Sequence, residues 1–213
     1  MEYQGFLLKI SNRFTRIVAG KIDDMISSTL QDLAELFDAE RGYVILFSND
    51  GSRVDNTYEW CAEGIQLSAH ILRDKLLDLF PWTLEKIQCS ETVYISSVND
   101  LPLEAQWEHG RLHLKGTQSL CLVPLTFEDN LLGFLGLDST TMKMVWSEER
   151  VTILDIVAQM VANGLQRRKY AEALVQSENY YRTIFENTGA ATIIIGEDMS
   201  ISMANQEWER ILG

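Results

Sequence analysis

The sequence predicts an α+β fold in which an antiparallel sheet is flanked by helices. Three apolar runs, RGYVILFS (41–48), SLCLVPLTF (119–127) and LLGFLGLDS (131–139), have the length of strands, and a short acidic turn joins the last two. Helical periodicity precedes the first run and follows the last. The predicted order is helix, two strands, helices, strand, helix, two strands and a long helix. Antiparallel pairs flanked by helices favour α+β over the alternating βα units of a parallel sheet.

The first part of the chain predicts two helices. Their apolar residues recur at spacings of three and four, which places them on one face that can pack against another element. The first strand follows, and a turn signal at 49–51 leads to a second strand that reaches about Ala62. The two helical stripes are Leu7, Ile10, Phe14 and Ile17, and, after Gly20, Ile22, Ile26, Thr29, Leu33 and Leu36.

The middle of the chain predicts short helices around one strand. A helical stretch over about 70–88 is interrupted at Pro81, because proline restricts the residue before it. TVYIS (92–96) is a short strand, and residues 104–115 form a helix. Ser147 is a natural N-cap for the long helix that runs through VTILDIVAQMVANGLQRRKYAEAL.

The last residues predict two short strands with no others nearby. SENYYRTIFENTGAATIIIGEDMSISMANQEWERILG begins as an amphipathic helix and continues with an apolar run that ends at Gly196. A second run extends from Ser200 to Ala204, and another helix starts after Asn205. Two neighbouring strands alone are marginally stable in water. This stretch therefore has the pattern of the opening of a sheet and not of a complete one.

Composition argues against several classes of protein. Acidic residues outnumber basic ones, 31 against 18, and the formal charge of −13 repels phosphate backbones, so a nucleic-acid partner is not expected. No apolar run approaches the roughly 18 residues of a membrane span, and MEYQGFLLKI lacks the basic start of a signal peptide. Cys61, Cys89 and Cys121 are too widely spaced for a disulfide framework or a CxxC metal pair. These features are typical of a cytoplasmic protein.

Two parts of the chain resemble known sensory domains. SLCLVPLTFEDNLLGFLGLDS followed by WSEERVTILDIVAQMVANGL resembles the C-terminal half of a GAF domain, and IDDMISSTLQDLAELFDAERGYVILFS resembles its entry helix and first strand. This resemblance covers about residues 10–170. YRTIFENT, the apolar strand, the acidic turn and the spacing N-x5-ILG resemble the start of a PAS domain. The resemblances imply a GAF-like sensory domain with flanking helices over residues 1–175 and the N-terminal fragment of a PAS domain over 176–213. The PAS resemblance, which covers only the first two strands of such a domain, also implies that the chain is one piece of a longer protein.

The order of the two resemblances leads to an expectation about function. In bacteria a GAF–PAS tandem resembles the input half of two-component sensor histidine kinases, and less often that of diguanylate cyclases. An output domain would follow the PAS domain in the full protein. The sequence holds no nucleotide-binding, nucleophile-elbow or metalloprotease motif, so no catalytic residue is assigned and these 213 residues are not expected to be an enzyme. A redox-active GAF enzyme of the free methionine sulfoxide reductase type is an alternative, which requires two cysteines close enough to bridge.

The GAF resemblance implies a small-molecule pocket between the sheet and the segment SVNDLPLEAQWEHGRLHLKGTQ (97–118). Ligand pockets are mainly apolar with a few polar anchors. Tryptophans and histidines could supply both, although a single tryptophan is more often an ordinary core or surface residue. The candidates are Trp60, Trp82, Trp107, His109 and His113, and Trp107 is expected to contact the ligand together with Trp60 or Trp82.

The ligand is unknown from sequence, and we expect no bilin, haem or metal. Bilin-binding GAF domains attach their chromophore through a cysteine usually followed by histidine, whereas Ala62, Ser90 and Leu122 follow the cysteines here. His109 and His113 have the spacing of a zinc-binding pair on a helix. No glutamate lies between them and no third ligand is apparent, so a solvated or hydrogen-bonded pair is favoured.

The long helix carries two apolar faces. The apolar residues of one face stop partway along the helix, as expected for a face that packs on a sheet of limited width. The other keeps the three-four alternation into the PAS lead-in, which predicts a coiled coil between two chains, with the N-terminal stripe as part of the bundle. Arg167 and Ser177 are poor seam residues and favour a single amphipathic helix instead. The predicted homodimer helices contain Ile10, Phe14, Ile17, Ile153, Ile156, Met160, Asn163, Leu174 and Tyr181, and the second face also includes Tyr170 and Ile184.

Overall fold

The computed structural model describes residues 2–15, 21–48, 53–65 and 80–212 of the chain. The predictions for Ile17, for the turn at 49–51 and for the helical stretch before Phe80 fall outside these residues. The chain divides into two compact units, residues 1–166 and 167–213.

An antiparallel sheet forms the centre of the first unit. It contains β1 (Arg41–Phe47), β2 (Val54–Cys61), β3 (Val93–Ile95), β4 (Ser119–Phe127) and β5 (Asn130–Ser139). Their order across the sheet is β2-β1-β5-β4-β3, and each neighbouring pair is antiparallel. The predicted α+β architecture is confirmed. The strands predicted at 119–127 and 131–139 lie within one residue of the observed bounds.

Helices cover both faces of the sheet. They are α1 (Glu2–Thr15), α2 (Ile22–Phe37), α3 (Pro81–Gln88), α4 (Gln106–Leu114) and α5 (Glu148–Glu186). The first part of α5 packs with α1 and α2 on one face, and α3 and α4 pack on the other. Ser147 caps α5 as predicted, since its hydroxyl accepts a hydrogen bond from the backbone N–H of Arg150 at 3.3 Å.

The two faces of the sheet carry separate apolar cores, because successive side chains of a strand point to opposite faces. On β1, Val44 belongs to the core under α1, α2 and α5, whereas Ile45 belongs to the core under α3 and α4. On β4, Val123 and Leu122 divide in the same way. Coverage on both faces explains why these strands are nearly continuously apolar in sequence.

The helices on the first face correct the predicted role of α1. Ile10 and Phe14 are 0% and 6% exposed and pack inside the core of their own chain. A Cβ atom on Gly164 of α5 would lie 2.9 Å from the side chains of Phe14 and Ile22, so glycine permits this close packing. The prediction that Ile10 and Phe14 form a seam between two chains is wrong, because α5 and α2 already cover them. Ile153, at 3% exposed in the same core, is corrected for the same reason.

The second unit contains the remainder of α5, the strands β6 (Ile193–Ile195) and β7 (Ile201–Ala204), and α6 (Gln206–Leu212). β6 and β7 are the two short strands predicted from sequence, and they pair antiparallel. Asn205, between β7 and α6, is fully buried. The domain boundary predicted after residue 175 lies within the part of α5 that belongs to this unit.

Two features are absent from the described residues. None of their helices combines the length and the hydrophobicity that a bilayer crossing requires. Their His, Cys, Asp and Glu side chains form no group of three or more that could hold a metal ion.

Candidate functional site

A cavity of about 60 Å³ lies in the first unit, between the sheet and helices α3 and α4. The segment 97–118, which was predicted to border a pocket, supplies part of its wall. Apolar side chains form most of the lining, and charged or hydroxyl-bearing groups form the rest. The lining residues are Tyr43, Ile45, Glu59, Phe80, Thr83, Leu84, Leu112, Lys115, Thr117, Leu120, Leu122, Phe134 and Asp138.

Strand register separates the polar and apolar ends of the cavity. Arg41 of β1 pairs with Asp138 of β5, and Glu59 of β2 lies one cavity-facing position further along the sheet. Four residues further along β1, on the same face of the sheet, Ile45 pairs with Phe134 of β5, and both side chains are apolar. The site therefore offers a ligand an apolar chamber with one polar end.

A buried ion pair stands at the polar end, where Asp138 lines the cavity and Arg41, outside the lining, pairs with it. Arg41 and Asp138 are 5% and 7% exposed. The Arg41 Nε donates to Asp138 Oδ1 at 2.6 Å, and Arg41 Nη2 donates to the Thr117 hydroxyl at 3.0 Å. Burial raises the pKa of the Asp138 carboxyl to about 6, against the opposing effect of the Arg41 charge and hydrogen bond. The charge of this end of the cavity therefore changes within about one pH unit of 6.

Lys115 brings a second cation to the polar end. It directly follows α4, and its ammonium group lies 5.4 Å from the centroid of the Phe80 ring. It forms no ion pair with any of the described residues. Burial and the nearby Arg41 charge lower the pKa of Lys115.

A buried carboxylate joins the two helices that cover the cavity. Glu108 of α4 is 0% exposed and accepts hydrogen bonds from the backbone N–H of Thr83, at 3.0 Å, and from the Thr83 hydroxyl. Thr83 is in the first turn of α3, where backbone N–H groups have no partner within the helix. Glu108 therefore caps α3 from α4 and fixes the position of both helices over the sheet.

The predicted tryptophans do not line the cavity, and this corrects the predicted pocket. Trp60 lies next to Glu59 on β2, so strand alternation directs it to the core on the opposite face. Trp82 packs at the side of the second core without reaching the cavity wall. Trp107 is 64% exposed, and the guanidinium of Arg111 lies 4.9 Å from its ring centroid.

The predicted histidines also lie away from the cavity. The rings of His109 and His113 contact each other on α4, with centroids 4.6 Å apart. His113 Nε2 lies 3.1 Å from the side-chain oxygen of Asn99. The pair is thus satisfied by local contacts and does not contribute to the cavity wall.

The polar residues of the cavity were not predicted from sequence. The available signal was a charged residue at the end of each of two apolar strands, Arg41 at the start of β1 and Asp138 near the end of β5. Charged residues are almost never fully buried unless they are paired. Two such residues on strands that pair antiparallel are candidates for one buried ion pair.

Cys61 and Cys121 do not support the redox-enzyme alternative. Cys61 on β2 and Cys121 on β4 are separated by the two intervening strands β1 and β5. Three strand spacings of about 4.8 Å exceed the ~7 Å between α-carbons that a disulfide tolerates. Burial raises the pKa of the Cys61 thiol to about 11 and also raises the pKa of Cys121, so neither forms a thiolate readily at neutral pH.

Comparison with known proteins supports a sensory family. The sequence model of the family described as "GAF domain" matches residues 21–165. The chain is 27% identical over 174 residues to the methanogenesis regulatory histidine kinase FilI of Methanothrix harundinacea (strain 6Ac), an alignment that covers 78% of this chain and 19% of the relative. The chain thus spans about a fifth of the length of this curated relative.

Solved GAF-domain structures share the fold and correct one expectation. The phycoerythrobilin-bound GAF domain of a cyanobacterial phytochrome superposes with a TM-score of 0.66 at 19% identity, over 81% of this chain and 98% of that one. A far-red absorbing dark state with bound biliverdin IXa gives 0.64 at 18% identity, over 78% of this chain and 99% of that one. Both structures hold a bilin in this fold. The expectation that no bilin binds, which was drawn from the residue after each cysteine, is therefore wrong, because this fold accommodates a bilin in similar proteins.

Proposed function

We propose that this chain, which belongs to the GAF domain family, is the small-ligand-sensing and dimer-relay input region of a sensor histidine kinase. The observation that carries ligand sensing is the cavity between the sheet and α3 and α4, with its apolar wall and single polar end. The similarity to the histidine kinase FilI supports the kinase context. The cytoplasmic location and a downstream output domain are part of this proposal.

A bilin is among the ligands that this proposal admits, since the similar structures hold bilins. Absorption spectroscopy of the purified protein, before and after incubation with biliverdin, tests this ligand directly.

Replacing Leu122 with phenylalanine is expected to abolish ligand binding while the fold persists. Leu122 is buried and forms part of the cavity wall, so the added ring atoms would occupy the ligand's space. Filling a cavity commonly adds about 0.5–2 kcal/mol of stability. Native mass spectrometry of freshly purified wild type and variant should show a bound small molecule only in the wild type.

Leu125→Phe provides the matched control for this experiment. Leu125 lies on the same strand but on the opposite face, in the fully packed core under α1, α2 and α5. Overpacking there costs about 1–3 kcal/mol and leaves the cavity unchanged. This variant should melt earlier and keep the ligand. Retention of the bound mass in Leu122→Phe would contradict the assignment of the cavity as the sensing site.

The dimer part of the proposal is supported by exposed apolar side chains of α5 in the second unit. Leu174, Tyr181 and Ile184 are 61%, 67% and 48% exposed and keep heptad spacing with Tyr170. Heptad spacing of apolar residues favours a coiled coil, and the occupant that we propose is a second copy of the same chain. A ligand that favours one of two packings of this coiled coil would transmit its state to the output domain.

Replacing Leu174 with glutamate is expected to convert the dimer to monomer. A charge at a core position of a coiled coil is buried without a partner on association. Val175→Glu is the matched control, because Val175 is similarly exposed, at 54%, but lies about 100° further around the helix. Sedimentation velocity should give a monomer for Leu174→Glu and a dimer for Val175→Glu. Equal behaviour of the two variants would exclude this seam.

For residues 176–213 we propose the beginning of a PAS domain. The support is the hairpin of β6 and β7, followed directly by Asn205 and α6. The sequence resemblance over YRTIFENT and N-x5-ILG points to the same family.

A further inference from the structure

We infer that the ligand of the cavity is a short-chain aliphatic monocarboxylate, whose alkyl chain lies among the apolar side chains and whose carboxylate binds Lys115. This inference rests on the proposed function, since it names the ligand class of the same site. It goes further in assigning the charge, the size and the binding residue.

The size of the ligand follows from the volume of the cavity, which is about 60 Å³. A cavity needs roughly 10–15 Å³ of this volume to hold one water molecule. Division of 60 by 15 and by 10 gives space for about four to six non-hydrogen atoms. Acetate, propionate and butyrate have that number of atoms.

The charge of the ligand follows from the hydrogen-bond donors that remain at the polar end. Arg41 and Asp138 form an ion pair with each other. Glu59 accepts a hydrogen bond from the Cys61 thiol at 3.7 Å. Lys115 lines the cavity with no ion pair to any described residue, and its ammonium lies over the face of the Phe80 ring. Asp138 and Glu59 each act to raise the pKa of Lys115, but neither forms an ion pair with it, so its ammonium keeps its hydrogen-bond donors for an anionic ligand group.

The cavity wall holds a hydroxyl group as a second donor, that of Thr117. The oxygen of Thr117 accepts from Arg41 Nη2 at 3.0 Å, which leaves the Thr117 proton available to donate. The ammonium of Lys115 and the hydroxyl of Thr117 can therefore bind the two oxygens of one carboxylate. Hydrogen bonds between charged partners are about twice as strong as neutral ones.

The apolar end accounts for the alkyl chain. Ile45, Leu84 and Leu122 contribute aliphatic surface from β1, α3 and β4, and Phe134 contributes an aromatic wall from β5. Because the described charged residues of the lining, Glu59, Lys115 and Asp138, belong to the polar end, a second charged group on the ligand would be buried here without a charged partner among them. A monocarboxylate is thus favoured over a dicarboxylate.

Isothermal titration of the full 213-residue chain with sodium butyrate tests the inference, with butyramide as the neutral isostere and sodium chloride as the salt control. Butyrate is expected to bind about 10- to 100-fold more tightly than butyramide, the factor that one charged hydrogen bond supplies. Lys115→Met should weaken butyrate binding by a similar factor and leave butyramide unaffected. Lys115→Arg restores a cation and should recover most of the affinity.

Chain length provides an independent readout. Affinity should rise from acetate to butyrate as more apolar surface is buried, and fall at hexanoate, whose eight non-hydrogen atoms exceed the space available. Inorganic phosphate, an anion without an alkyl chain, should bind more weakly than butyrate. Binding that is insensitive to chain length would place the carboxylate on the protein surface and overturn the inference.

The outcomes separate this inference from the proposed function. Equal affinity for butyrate and butyramide, or unchanged butyrate binding in Lys115→Met, overturns the carboxylate assignment. If Leu122→Phe still abolishes binding of the neutral ligand, the sensing site itself stands. A bilin absorption band in the purified protein would overturn the carboxylate and leave ligand sensing intact. If no compound binds and no mass co-purifies, both proposals fail.

Discussion

Replacing Arg41 with methionine is expected to lower the free energy of unfolding by about 3–5 kcal/mol at pH 8, because it leaves a buried carboxylate without its counter-charge. Asp138 is 7% exposed, and its Oδ1 accepts the Arg41 Nε at 2.6 Å. Methionine keeps an unbranched apolar stem in place of the arginine stem, so the loss reports mainly the charge. Urea unfolding followed by circular dichroism measures it.

The loss should depend on pH, since burial raises the pKa of Asp138 from 3.8 to about 6. The folded protein then binds this proton more readily than the unfolded chain, so the contribution of Asp138 to stability falls as pH rises from about 4 to about 6 and is constant above that. Without Arg41 the pKa rises further, and the falling range extends to higher pH. The difference between wild type and Arg41→Met should therefore shrink at pH 5, where the carboxyl is protonated.

A double variant distinguishes the net contribution of the ion pair to stability from the penalty of leaving one charge buried without its partner. Arg41→Met with Asp138→Leu removes both charges and should regain most or all of the lost stability, because buried ion pairs are often no more stabilising than apolar replacements. Arg41→Lys keeps the charge but loses the planar geometry that joins Asp138 to Thr117, and should give an intermediate loss. If Arg41→Met unfolds like the wild type at both pH values, the pair does not have this role.

The sheet could be predicted because its signals are local. Each strand of the β4–β5 hairpin is a continuous apolar run bounded by turn residues, and such runs specify length and burial without reference to distant parts of the chain. Alternation along β2 also places Trp60 opposite to Glu59. Which of the two faces encloses a cavity depends on how α3 and α4 pack, and nothing local to β2 contains that information.

The partner of an apolar stripe could not be predicted for a similar reason. Spacing shows that Ile10 and Phe14 lie on one face of α1 and need cover, but the pattern is the same whether the cover is the same chain or a second copy. The cover comes from the same chain because Gly164, which has no side chain, lets α5 approach the side chain of Phe14. Its effect depends on residues about 150 positions away in sequence, so no window of the sequence reveals it.

Asn205 organises the second unit through a concentrated set of hydrogen bonds. Its side chain is 0% exposed, so each bond that it loses leaves a polar group without water to replace the partner. Its Oδ1 accepts the backbone N–H of Trp208 at 3.0 Å, which caps α6. The same oxygen accepts the N–H of Thr192, and Nδ2 donates to the carbonyl oxygens of Phe185 and Ala190 and to the hydroxyl of Thr188.

Replacing Asn205 with alanine is expected to cost the second unit at least about 3 kcal/mol, since it removes a helix cap and several buried bonds worth about 0.5–1.5 kcal/mol each. A two-stranded pair has little stability to lose. Amides of β6 and β7 should therefore exchange with solvent faster, up to the limit of full unfolding of the unit, while amides of β4 and β5 are unchanged. Hydrogen exchange followed by mass spectrometry resolves the two units in one sample.

Asn205→Asp and Asn205→Ser separate the contribution of the Asn205 side-chain oxygen, which accepts hydrogen bonds, from that of its nitrogen, which donates them. Aspartate keeps the acceptor for Trp208 and Thr192 but loses the donors to Phe185 and Ala190. Serine keeps a capping oxygen but is too short to replace the other bonds. Exchange of the β6 and β7 amides should accelerate in the order wild type, Asn205→Asp, Asn205→Ser and Asn205→Ala. If serine restores wild-type protection, the cap of α6 alone holds the unit together, and the bonds to the end of α5 are dispensable.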